Sequence, residues 1–186
     1  MKIRRVVTGH TPEGKSTIAS DTEVDAIRVA MLPGTEFHNL WGADVIPTFP
    51  DDGSPQPAPT YFPPLGGCRF GMFTVPPQSM VPPGKLDMTE ALKEMEEKLP
   101  GVMAHMEPAN PGMHTTDTID FEYVISGEVW MVLDDGVEVH LRPGDTVVQN
   151  GTRHAWRNKG SEPCRVVVCL IGAHRSRPGT RREKGK

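Results

Sequence analysis

No apolar run in this sequence is long enough to span a bilayer, and the N-terminal MKIRRVVTGH lacks the apolar core of a secretory leader. A cytoplasmic chain with no membrane partner is therefore expected. An excess of one charge is also missing, since 20 Lys and Arg stand against 24 Asp and Glu for a net −4. That balance offers no broad field for nucleic acid, and no helix-turn-helix pattern suggests DNA binding. The one basic run, HRSRPGTRREKGK from His174 to Lys186, reads as a solvated, mobile tail over 173–186. Cysteine is scarce. Cys68, Cys164 and Cys169 form no C-x-x-C motif and are odd in number, which fits reduced, buried thiols.

Alternating strand and helix patterns are lacking too, and this decides the meaning of one motif. The stretch GHTPEGKST, Gly9 to Thr17, fits the phosphate-loop pattern G-x-x-x-x-G-K-[ST] letter for letter. Such a loop needs a helix starting at Lys15-Ser16, whose N-terminal amides and dipole hold the phosphates. Thr17-Ile18 lead instead to Ser20-Asp21 with no apolar period of 3.6, and no βαβ sheet follows. No nucleotide cofactor is expected. Pro12 and Gly14 predict a hairpin turn between RRVVTG and STIASD.

Glycine and proline, by contrast, are abundant at 19 each, about a fifth of the chain, and they separate short β-branched runs. That punctuation predicts an all-β sandwich or barrel. Residues 1–75 read as N-terminal strands and a proline-rich arm, PTFPDDGSPQPAPTYFPP from Pro47 to Pro64, packing on the barrel. An insertion over 76–112 holds one helix, about 87–99. There Leu86, Met88, Ala91, Leu92, Met95 and Leu99 fall near one stripe, and Pro100-Gly101 stop it. The barrel core is expected over 113–172, with Asp135-Gly136 as a hairpin signal and Pro-Gly-Asp as another turn. Connections so short require antiparallel neighbours.

Two segments resemble the motifs of the cupin superfamily, roughly G-x5-H-x-H-x3-4-E-x6-G and G-x5-P-x-G-x2-H-x3-N. PGMHTTDTIDFEYVISG places His114 at the first histidine, Thr116 at the second, Asp120 at the glutamate and Gly127 at the closing glycine. GDTVVQNGTRHAWRN places Gly144, Gly151, His154 and Asn158 on the second motif, one residue short and without its proline. The resemblance covers about a third of the chain. It implies a double-stranded β-helix, or jelly roll, with an N-terminal strand extension and one inserted α-helix. It also implies a homodimer formed by exchange of N-terminal strands, for which open barrel edges give a physical reason.

Strand parity then places the chemistry. Residues two apart share a face, so His114 goes with Thr116, Asp120 with Glu122 and Val124, and His154 with Trp156 and Asn158. If those faces line the barrel, two imidazoles and a carboxylate converge, a facial set for a divalent metal on His114, Asp120 and His154. Zn, Fe, Mn or Ni would suit such a set. Thr116 is a poor ligand and Asp120 is shorter than glutamate, so metal-free chemistry stays open. Glu122 has two readings. Apolar alternation of Phe121, Tyr123 and Ile125 would turn it to solvent, whereas the motif alignment turns it inward as a general acid or base beside Asp120. Trp156 reads as an aromatic pocket wall beside Thr116 and Gln149, and Arg153 as a surface residue able to meet an anion. His105 reads as a loop residue near the barrel mouth, and Trp41 and Trp130 as packing residues. His10, His38, His140 and His174 suggest no role.

The expected function is a cupin-type enzyme acting on a small-molecule substrate. A lyase or isomerase is favoured, a dehydratase or decarboxylase working on an oxygenated organic acid or ketone. An Fe(II) dioxygenase and a non-catalytic ligand-binding cupin are the alternatives.

Overall fold

A computed structural model describes residues 2–80 and 86–176 of the 186-residue chain. Of the expected basic tail, 177–186 lie outside the described residues. The part that is described does not hang free. The Arg175 guanidinium donates to the carbonyls of Thr116 and Gly151, the former at 2.6 Å, and pairs with Asp117.

The first two strands, β1 (Ile3–His10) and β2 (Ser16–Val24), form a two-stranded antiparallel sheet of their own. Thr11 to Lys15 form the turn between them, closed by Thr11 N–H to Lys15 O at 2.8 Å, and Lys15 is exposed. Strand β3 (Glu36–Ala43) and strand β4 (Cys68–Val75) come next, with the proline-rich arm between them. The helix α1 (Met88–Lys98) is capped by Asp87, whose carboxylate accepts from the amides of Thr89 and Glu90. Only Ala91, Met95 and Leu99 of the expected stripe are buried, whereas Leu86, Met88 and Leu92 stay exposed. The i, i+4, i+8 row is the narrow face that docks, because the helix lies on the surface and touches the body along one line.

Six strands follow: β5 (Thr118–Ser126), β6 (Val129–Val132), β7 (Glu138–Leu141), β8 (Thr146–Gln149), β9 (Ala155–Arg157) and β10 (Cys164–Gly172). Together with β3 and β4 they build two antiparallel sheets, of order β3-β4-β10-β5-β8 and β7-β6-β9. This is the double-stranded β-helix, and β3 and β4 extend its larger sheet upstream of residue 113. Two turns depend on glycine. Gly127 has φ +71°, and a Cβ there would lie 2.4 Å from the carbonyl of Pro163. Gly136 has φ +73° and follows Asp135 at φ 56°, which is the expected Asp-Gly hairpin between β6 and β7.

The sheets share a core of Phe73, Val124, Val129, Leu141, Cys164, Val166, Val168 and Leu170. A second cluster, Val29, Met95, Leu99 and Val102, lies under α1 and packs on Phe37, Tyr61 and Phe62. Tyr61 and Phe62 end the proline-rich arm. They are half-buried, and the Tyr61 amide is tied to Pro100 O at 2.9 Å. The arm is therefore more than a surface linker, since its last residues help roof the sandwich. No helix among the described residues is long and apolar enough to cross a membrane.

The turn between β1 and β2 lacks the helix a phosphate loop requires. Calorimetric titration with Mg-ATP should give no binding heat, and micromolar affinity abolished by Lys15→Ala would overturn this.

Candidate active site

Strand β5 turns Thr118, Asp120 and Glu122 inward with Val124, and three large apolar residues outward. Thr118, Asp120, Glu122 and Val124 are buried, while Phe121, Tyr123 and Ile125 are exposed. Pairing on both flanks holds this register. Asp120 lies opposite Leu170 and Gln149, and Glu122 opposite Val168 and Val147. A slip of one residue would expose Val124 and bury Phe121 against those neighbours. Glu122 thus faces the interior, the orientation that apolar alternation alone argued against.

The interior holds a cavity of about 220 Å³ between the sheets. Asp120, Glu122, His114, Thr116, His154 and Trp156 all line it. Its remaining wall is largely apolar, with Phe37, Tyr61, Phe62, Phe73, Val168 and Leu170. Asp120 and Glu122 are 3% and 6% exposed, and Asp120 Oδ1 and Glu122 Oε2 have no hydrogen-bond partner among the described residues. Burial therefore pushes the Asp120 carboxyl up to about 6, moderated by the Thr118 hydroxyl. Burial, then the charge of Asp120, pushes Glu122 up to about 8. Burial thus favours retention of a proton by this pair, and the charge of Asp120 raises Glu122 the further of the two. Tyr61 faces the same charges, since burial and then Asp120 and Glu122 raise its phenol well above its ordinary value.

The two histidines form a second pair. His114 and His154 exchange both backbone hydrogen bonds, at 2.9 and 3.0 Å, and their ring centroids stand 4.1 Å apart. Each ring donates Nδ1–H to the carbonyl two residues upstream, His114 to Gly112 O at 3.0 Å and His154 to Thr152 O at 2.9 Å. Nε2 is thereby left with the lone pair in each neutral ring. Burial, then His114, pushes His154 down to about 4, and burial likewise lowers His114. Both are neutral acceptors at pH 7.

The expected metal centre of His114, Asp120 and His154 does not assemble. Among the described residues no three His, Cys, Asp or Glu side chains are grouped so as to hold a metal ion. The place of a third imidazole is taken by Thr116, whose hydroxyl accepts from Thr118 at 2.9 Å. The donors so placed do not fit a three-ligand metal.

Other expectations shift as well. Gln149 does not line the cavity; its carbonyl accepts from Thr152 N–H and Oγ1, and its amide reaches Met131 Sδ at 3.7 Å. The buried amide holds the loop that carries His154 instead. Asn158 shares the parity of His154 and Trp156 yet points away, bonding Val75 O and Glu162 O at 2.9 and 2.8 Å. Arg153 is consumed by Glu107 and Asp134. His105 is half-buried, stacked edge-on against Phe62 and bonded to Thr115 O at 2.9 Å. Sequence reasoning missed Tyr61, Phe62 and Arg157. The first two stood in a segment without periodicity, and Arg157 had the wrong strand parity for an inward residue.

Residues 102–170 match the model of the Cupin_2 family, the cupin domain. Over 47 residues the chain is 49% identical to phomopsin biosynthesis cluster protein D of Diaporthe leptostromiformis, 25% of each chain. Over 94 residues it is 33% identical to the cupin-domain-containing oxidoreductase srdB of Neurospora crassa, 47% of this chain and 48% of that one. The matches thus span from a quarter to about half the length of these relatives. The polyketide cyclase RemF from Streptomyces resistomycificus is similar in structure at a TM-score of 0.43, with 17% identity over 82% of each chain.

The raised carboxyl of Glu122 predicts a pH-dependent stability. The folded protein keeps this proton up to about 8, whereas the unfolded chain loses it near the ordinary value of 4.5. Stability therefore falls as pH rises through that window. His154 acts in the opposite sense, but only below its ordinary 6.5, where the unfolded chain takes up a proton that the fold refuses. Between pH 6.5 and 8 the Glu122 effect stands alone. Urea denaturation should show a loss of about 1–2 kcal/mol over that range, absent in Glu122→Gln. An equal slope in both proteins would contradict the burial of Glu122.

Proposed function

We propose that this chain, whose residues 102–170 match the cupin domain, is a small-molecule enzyme using acid–base chemistry to eliminate from, or isomerise, an oxygenated organic acid or ketone. One observation carries this reading. Two neighbouring inward carboxyls, each with an unpartnered buried oxygen among the described residues, line a cavity whose wall is largely apolar. Burying such groups without partners costs stability, and a fold that retains them at a cavity wall invites a catalytic explanation.

The geometry divides the roles. Asp120, ionised at neutral pH, is the base, and Glu122, still protonated, is the acid. With a β-hydroxy ketone, Asp120 takes the proton α to the carbonyl. The α-carbon electrons form the C=C bond, the C–O bond breaks, and the hydroxyl leaves as water with the proton of Glu122. The lone pairs on Nε2 of His114 and His154 accept substrate hydroxyl groups and orient them. Trp156, Phe62 and Phe73 exclude water, which keeps both carboxyls perturbed. Tyr61 reaches the same pair from the roof.

Proton exchange tests this directly. A panel of β-hydroxy ketones and β-keto acids is incubated with the protein in D2O, and the α-proton signal is followed by NMR. The wild type should exchange the α-proton of at least one class. Glu122→Gln and Asp120→Asn should each cut turnover by about two orders of magnitude while binding persists. A second reading, oxidation, is favoured by the name of the Neurospora crassa relative. Oxygen uptake that matches substrate loss one for one, and survives in Glu122→Gln, would replace elimination by oxygenation.

A further inference from the structure

Arg157 is the only arginine or lysine in the cavity lining among the described residues. Its guanidinium donates to two backbone carbonyls, Trp156 O at 3.3 Å and Pro111 O, and it pairs with no carboxylate among the described residues. The other arginines near the cavity differ. Arg153 is held by Glu107 and Asp134, and Arg175 by Asp117. A guanidinium offers five N–H donors in a rigid fork, so two carbonyl contacts leave most of its capacity unspent.

The chain also makes room for it. Gly112, which lines the same cavity, has φ +85°, and a Cβ there would lie 2.5 Å from Arg157 Nη1. The guanidinium occupies the place of that missing side chain, fixed beside the turn that also receives the Nδ1–H of His114. Arg157 belongs to β9 of the smaller sheet, whereas Asp120 and Glu122 belong to β5 of the larger one. The aromatic rings of Phe37, Phe62, Phe73 and Trp156 line the same cavity.

We propose that this cavity selects planar aromatic carboxylates, with Arg157 binding the carboxylate group and the four rings clasping the body. The proposal rests on the cavity being the substrate site assigned above, but not on the reaction carried out there. An anionic end placed on Arg157 is held on the opposite sheet from ionised Asp120. A neutral ligand of the same shape forgoes the charge-assisted fork and gains only apolar contact. Arg157 is then the residue that determines specificity between acids and their neutral counterparts.

The test uses 2-naphthoate and 2-naphthamide, which share a shape and differ in charge. Each is titrated calorimetrically into the full-length wild type, Arg157→Gln and Arg157→Lys. The wild type should bind the naphthoate at least 10-fold more tightly than the amide. Arg157→Gln should erase that preference while leaving the amide affinity unchanged, which also reports that the cavity is intact. Arg157→Lys should restore part of it, since a point charge replaces a fork. Equal affinity of both ligands for the wild type, a preference that survives in Arg157→Gln, or binding of neither would each overturn the proposal. Those results leave α-proton exchange untouched. Conversely, a charge preference lost with Arg157 in a protein that exchanges no α-protons would uphold the binding site and reject the reaction.

Discussion

Burial of Asp120 and Glu122 on the inner face of one strand is the constraint from which the other features of the site follow. Two carboxyls cannot both ionise freely between Leu170, Val168 and Val147, so the pair retains a proton at neutral pH. The unpaired oxygens are costly, and the cost is offset elsewhere in the sandwich. The valines of β10 and the residues facing them from β6 and β7 form a continuous apolar core, of which Phe73, Val168 and Leu170 also line the cavity. The same inversion turns Phe121, Tyr123 and Ile125 outward.

The proton is kept only if water is kept out, and this gives the N-terminal half of the chain its part. The arm brings Tyr61 and Phe62 over the cavity, and α1 with the turn after it supports them through Met95, Leu99 and Val102. The edge-on stacking of Tyr61 on Phe37 and Phe62, at 5.7 and 5.0 Å, makes this roof a packed layer. Removing the helix would therefore disturb the electrostatics of β5, although α1 does not line the cavity itself.

The histidine pair has a different origin. Its geometry is set by backbone, through the reciprocal hydrogen bonds of His114 and His154 and the carbonyl under each Nδ1. Such rings are pre-oriented acceptors whose rotation is restricted by two independent contacts. Both rings belong to the lining of the cavity, beside the two carboxyls of β5.

Much of this was legible in the residues themselves. Turn chemistry at Gly14, Gly127 and Asp135-Gly136 sets strand lengths, and strand lengths set antiparallel pairing, so the all-β architecture follows from local rules. The spacing of His114, Asp120 and His154 likewise marks the cavity, because parity along a strand is a local property. What a local rule could not supply is which face of β5 turns inward, since both faces carry plausible core residues. Pairing with β10 and β8 decided that. Nor could it separate Arg153 from Arg157, four residues apart. Glu107 and Asp134, distant in sequence, neutralise the first, and a missing side chain at Gly112 admits the second. Strands, turns and candidate donors are local properties of the chain and can be read along it. Which charges in the cavity lack a partner is settled by folding, because pairing depends on neighbours distant in sequence.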